Sequence, residues 1–236
     1  MELIFESVGK ILSFDRSYLD IVFLSLYVSI LATLISAIIS IIIASHMAST
    51  EFFGKNIITI LVNTFMSIPP VVVGLVLYIV FSASGVLGFM DILYSPTIMI
   101  IAQFIIVTPI IISLSLKSLT ETYERLGEFL SSLDASKKQI KNTIIYESRF
   151  NLLIIVITGL SRALSEVGAV IIVGGNIDNL TRVMTTSIVL ETSRGELSLA
   201  LSLGISLLII ATSTIYILGL IWLGTLIGWD KPIFAL

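Results

Sequence analysis

The chain has 236 residues, 56% of them hydrophobic and only 12% charged, with a mean hydropathy of +1.10. A water-soluble domain carries about twice that charged fraction, so this composition excludes an ordinary soluble fold and makes the bilayer the natural solvent. The net charge of −3 excludes nucleic acid as a partner, and the absence of cysteine excludes disulfides and thiolate chemistry. The single histidine, His46, excludes two-histidine metal sites.

At the N-terminus, Leu3, Ile4, Val8, Ile11 and Leu12 fall roughly on one helical face, while Glu2, Glu6, Asp15 and Asp20 interrupt any apolar core. That pattern is not a signal peptide; it predicts an amphipathic helix within 1–20, lying on the membrane surface. Five later stretches reach the roughly 20 apolar residues that a spanning helix requires. They cover about 21–45, 57–83, 92–116, 152–173 and 197–227, within a transmembrane region of 21–228. In the first span Ala32, Ser36, Ser40 and Ala44 recur every four residues, which lets another helix approach closely. Gly224 and Gly228 repeat that spacing in the last span.

The second span contains Pro69, Pro70 and Gly74. Neither proline donates a backbone hydrogen bond, so a break here must face protein or a wet cavity, as a packing kink or as the lining of a pathway. Gly74 removes bulk where a helix or a permeant solute comes close. Pro96 and Pro109, near the ends of the third span, read as positional.

Residues 117–149 form the one long polar region, with Lys117, Arg125, Lys137, Lys138, Lys141 and Arg149 among the chain's 13 basic residues. The positive-inside rule places this loop in the cytoplasm, which with five spans puts the N-terminus outside and the tail 229–236 inside. The loop reads as two helices turning near Leu133–Ser136, with Asp134 and Ser136 as caps and Leu126, Phe129, Leu130 and Leu133 as an apolar face. A charged helical loop of this size predicts docking onto something in the cytoplasm.

The fourth span carries Arg162, about 15 Å from its start at Leu152, and Glu166 about 6 Å beyond, one helical turn on. Each charge costs roughly 2.5–3.5 kcal/mol at the bilayer centre on insertion scales. The spacing therefore predicts an ion pair facing the bundle, as a latch between helices or as a softened cationic surface on the route of an anion. Gly174, Gly175 and Asn176 are expected to end this helix with mobile backbone, before an external re-entrant or surface segment that includes Arg182.

Several stretches carry a family resemblance. "PPVVVGL" at Pro69–Leu75 resembles a segment of molybdate-type permeases, and "EFLSSLDASKKQI" at Glu128–Ile140 falls where ABC importers have the loop inserted into their ATPase. "SEVGAVIIVGGNI" and "TRVMTTSIVLETSRGE" resemble the tungstate-type branch. Phe129 and Leu130 replace the usual alanines of the coupling loop, Asp134 stands at its glycine, and Tyr146-Glu147 stand where many relatives have Leu-Pro. Aspartate tolerates the left-handed backbone that the turn needs.

The resemblance implies an all-α integral membrane protein in a molybdate-permease-like ABC importer fold, working as a homodimer in the cell membrane to import tungstate. It implies coupling to the ATPase through Glu128, Leu133, Asp134, Ala135, Ser136, Lys137 and Lys138. Pro69, Pro70, Gly74, Arg162 and Glu166 would lie in the pathway or bundle interior. Gly174, Gly175, Asn176 and Arg182 would form an external gate or a contact with an extracellular oxyanion-binding protein. ATP and magnesium would be held by a separate cytoplasmic ATPase dimer, since this chain has no P-loop. Molybdate or sulfate permeases are the neighbouring readings, and an ion-coupled secondary transporter is the rival of another class. An intramembrane hydrolase built on Ser161 lacks a local base.

Overall fold

The structure, a computed structural model, describes residues 2–13 and 15–227. The expected tail at 229–236 and Gly228 lie outside the described residues. Among the described residues, all regular structure is helical. Helix α1 covers Glu2–Leu12, α2 Arg16–Ser49, α3 Lys55–Phe65, α4 Pro70–Phe81 and α5 Pro96–Ser132. Then follow α6 at Lys137–Glu147, α7 at Arg149–Leu164, α8 at Gly168–Gly174, α9 at Met184–Arg194 and α10 at Leu197–Ile227.

Helices α2, α5 and α10 are long and apolar enough to cross a membrane. The pairs α3–α4 and α6–α7 are bent by 94° and 64°, and five crossings result only if each bent pair counts as one. Two spans therefore differ from expectation. The second is an elbow rather than a kinked rod, because Pro70 starts a new helix instead of interrupting an old one. The fourth, expected to run through 152–173, stops at Leu164 and resumes at Gly168.

The α2–α5 pair is the spine of the bundle. Ala32, Ser36, Ser40 and Ala44 are all buried along α2, so the two backbones approach over a stripe of small side chains. Ser36 Oγ donates to the Phe104 carbonyl at 3.4 Å and Ser40 Oγ to the Thr108 carbonyl at 3.3 Å. Both carbonyls precede Pro109, which lies inside α5 and leaves the Ile105 carbonyl without its helical N–H.

Helix α5 does not end at the expected span boundary near residue 116. Its second half projects as a polar extension to Ser132, and α6 folds back against it. The core continues into this hairpin: Leu119, Leu130, Ile140 and Ile144 belong to the same buried cluster as Ala44, Met47 and Ile111. The Thr122 and Ser148 hydroxyls meet at 2.8 Å across its base. The polar loop is therefore a rigid extension of the bundle rather than a solvated insertion.

Helix α1 lies against α10, with Ser7 Oγ donating to the Ser198 carbonyl at 3.0 Å and Lys10 Nζ to Ser198 Oγ at 2.8 Å. The opposite face of α1 leaves Ile4, Phe5 and Leu12 exposed.

Candidate functional site

The charge pair sits at the helix break. Arg162, in the last turn of α7, donates from Nη1 to Glu166 Oε2 at 2.7 Å. Glu166 lies in the three-residue gap, and its Oε1 accepts from the Ala169 N–H of α8 at 3.2 Å. Its backbone carbonyl accepts from Thr185 Oγ1 of α9 at 2.9 Å. One glutamate thus binds the end of α7, the start of α8 and the start of α9. Both carboxylate oxygens are used, which is how a charge buried to 5% exposure is tolerated.

The two partners are not equivalent. Glu166 is enclosed, whereas the Arg162 side chain keeps 36% of its surface. The arginine borders a small cavity of about 30 Å3, otherwise lined by apolar residues including Phe65, Met66, Ile68 and Val73. These residues form the inside of the α3–α4 elbow. A cation is thereby presented beside an apolar corner, with its countercharge held behind it. An anion meeting this surface would be attracted without being caged.

Gly74 explains how the elbow is held. A Cβ built there would lie 2.8 Å from Ala169 Cα and 3.0 Å from the Ala169 carbonyl oxygen, so α4 and α8 touch backbone to backbone. The neighbour that Gly74 admits is thus a helix. On the other side, a Cβ on Gly168 would lie 2.5 Å from a Val71 methyl. Pro69, in extended conformation, caps α4, and Pro70 is its first residue.

Sequence reasoning overlooked Gln103 and Thr185. Gln103 is 4% exposed and donates from Nε2 to the Ala163 carbonyl at 3.1 Å, fixing the last turn of α7 to α5. It is the sole glutamine within an apolar span, and a buried amide in lipid was the available signal. Thr185 carries no such signal.

At the polar end, the expected turn is present. Asp134 has φ 53°, the left-handed conformation that a glycine would otherwise supply. Ala135 N–H reaches back to the Leu130 carbonyl at 3.2 Å. Ser136 caps α6 through a capping box, accepting from Gln139 N–H while Gln139 Oε1 accepts from Ser136 N–H at 2.8 Å. Glu128, Leu133, Lys137 and Lys138 are exposed around this turn, and Ala135 is half-buried. Phe129 also stands exposed at 51%, one helical turn before Leu133. Ser136→Ala should cost about 1 kcal/mol locally and raise amide exchange in α6 while leaving that of α2 unchanged.

At the opposite end, Gly174 closes α8, and Gly175 and Asn176 follow with φ 70° and 50°. The loose backbone expected here is instead a fastened turn. Thr181 Oγ1 donates to the Gly174 carbonyl and accepts from Ile177 N–H at 2.9 Å. Asn176 Oδ1 accepts from Thr186 Oγ1 at 2.8 Å. A side chain at Gly175 would strike the ring of Tyr94, a residue whose backbone N–H donates to the Val173 carbonyl. The following segment is not a strip on the surface: Met184–Ser187 are buried, and Met184 N–H donates to Ser25 Oγ of α2 at 2.7 Å. Arg182 pairs with Asp178 at 3.0 Å.

No family model matches this sequence. Individual relatives do. Over 204 residues, covering 85% of this chain and 88% of the relative, it is 44% identical to the tungstate uptake system permease protein TupB of Peptoclostridium acidaminophilum. It is 38% identical to the protein of the same description from Campylobacter jejuni, over 68% of this chain and 67% of that one. A probable anion ABC transporter permease protein of Haloferax volcanii is 34% identical over 78% of this chain and 82% of its own. Identity at this level across nearly the full bundle, on an all-helical membrane fold, places the chain in the family of ABC anion uptake permeases, as a multi-pass membrane protein whose role is transport.

Proposed function

We propose that this permease imports tungstate across the cell membrane as a homodimer, driven by ATP hydrolysis on a separate cytoplasmic ATPase. The observation that carries the substrate is the 44% identity to a tungstate uptake permease across 88% of that protein's length. In this reading the polar hairpin faces the cytoplasm, the N-terminus faces outward, and the C-terminus is inside. Six basic residues in 117–149 favour that orientation.

The hairpin is the coupling element. Its turn presents Phe129 and Leu133 as apolar knobs beside Lys137 and Lys138, a combination suited to a pocket on an ATPase surface. Because Leu130, Ile140 and Ile144 join the hairpin to the bundle core, a force on the turn is carried to α5 and α7. Arg162 lies in the last turn of α7, so tilting the helix shifts the guanidinium against the elbow. Glu166 keeps the arginine from gripping a dianion too tightly. Selection of the oxyanion falls to an extracellular binding protein that docks near the 174–182 turn.

The coupling part is tested by Asp134→Pro, since proline cannot adopt φ 53°, together with Lys137→Glu/Lys138→Glu. In proteoliposomes holding permease, ATPase and binding protein, both variants should insert normally yet lose stimulation of ATP hydrolysis by tungstate. Unchanged stimulation in both would remove the hairpin from the coupling route.

A further inference from the structure

Two adjoining clefts of about 320 and 280 Å3 lie where α1, the start of α2 and the 178–182 turn meet. They share Ser17, Ile21, Asp178 and Arg182. Both signs of charge line them. Arg182 keeps only 16% of its side-chain surface, gives one Nη1 bond to Asp178, and has a buried Nε without a hydrogen-bond partner. A guanidinium has five N–H groups, so Arg182, which lines both clefts, has donors beyond its contact with Asp178. Lys10 spends one bond on Ser198 and lies 4.0 Å from Glu6.

The acidic side has spare capacity as well. Asp20 is exposed and makes no ion pair among the described residues, and Asp15 accepts from Ser17 at 2.6 Å. A simple anion on Arg182 would share its cleft with Asp178 and with Asp20 in one case or Asp15 in the other. A metal ion has no cluster of three acidic or histidine groups among the described residues. A zwitterion meets both demands at once.

The position selects the kind of zwitterion. The clefts open at the first turns of α2, a helix of spanning length, beside Phe23, which is 71% exposed, and Leu24. Helix α1, whose Lys10 lines the second cleft, also leaves Phe5 and Leu12 exposed. Amphipathic edges of this kind mark the headgroup level of a bilayer. We propose that the clefts hold the headgroup of a phospholipid bearing a primary ammonium. Its phosphate is taken by Arg182, its ammonium by Asp20, and its chains descend past Phe23 and Leu24. The proposal rests on α2 spanning the membrane and is independent of which anion is carried.

The test is native mass spectrometry of the permease released from nanodiscs containing equal amounts of phosphatidylethanolamine, phosphatidylcholine and phosphatidylglycerol. Bound phosphatidylethanolamine should exceed each of the others by about tenfold, the factor supplied by one charge-assisted hydrogen bond. Choline has no N–H to give Asp20, and glycerol no positive charge. Asp20→Asn, at an exposed position, and Arg182→Gln should each abolish the preference. Equal retention of the three lipids, or a preference unchanged in Asp20→Asn, would overturn the proposal. Displacement of the lipid by millimolar tungstate would also overturn it, making the cleft an oxyanion site.

Discussion

Glu166→Gln is expected to lower the stability of the inserted protein by about 3 kcal/mol and to reduce transport severely. Glutamate uses one oxygen for Arg162 and the other for the Ala169 N–H. Glutamine has a single oxygen, so it keeps one of these bonds and turns an amide donor toward the other donor. The cost falls at the lower end of the range for a broken buried pair, because Arg162 is partly exposed. Thermal unfolding of the detergent-solubilised protein reads it directly. Arg162→Met with Glu166→Leu removes both charges and sacrifices little beyond the Ala169 bond. A double variant that regains most of the lost stability yet fails to transport would assign Arg162 to the pathway. One that regains both would reduce the pair to a latch.

Gly74→Ala is the second large effect. The new methyl would sit 2.8 Å from a backbone Cα, and neither helix backbone can rotate away as a side chain would. Overpacking of this kind costs about 1–3 kcal/mol, and here it drives α4 from α8 and opens the elbow beside Arg162. Size-exclusion profiles should broaden and uptake should fall. Gly204→Ala, with open space around the position, serves as the control and should change neither.

The apolar runs made the all-helical membrane fold legible, since lipid permits few alternatives to a helix wherever 20 such residues follow one another. The Pro69–Pro70 break was legible because proline acts locally. Its 94° angle was not, because that depends on the contact between Gly74 and Ala169. The break after Leu164 was hidden for a related reason. Ser165-Glu166-Val167 contains no helix breaker, and Arg162 and Glu166 have the spacing of a continuous helix. The gap is held by bonds from Ala169 and Thr185, and Thr185 comes from a different helix. The hairpin turn could be read from Asp134 and Ser136, whose chemistry is local. The extent of α5 could not, because a change from apolar to polar sequence at residue 117 marks a change of solvent, and the helix passes through it. The Gly-Gly-Asn turn looked loose because glycine permits freedom, while Thr181 and Thr186, which fasten it, stand several residues away.

Tungstate accumulation in proteoliposomes, with the ATPase present or absent, tests the central claim most directly. The account predicts uptake only when the ATPase, ATP and the binding protein are all supplied, and none when the permease stands alone with an ion gradient. Uptake driven by a gradient without the ATPase would contradict it.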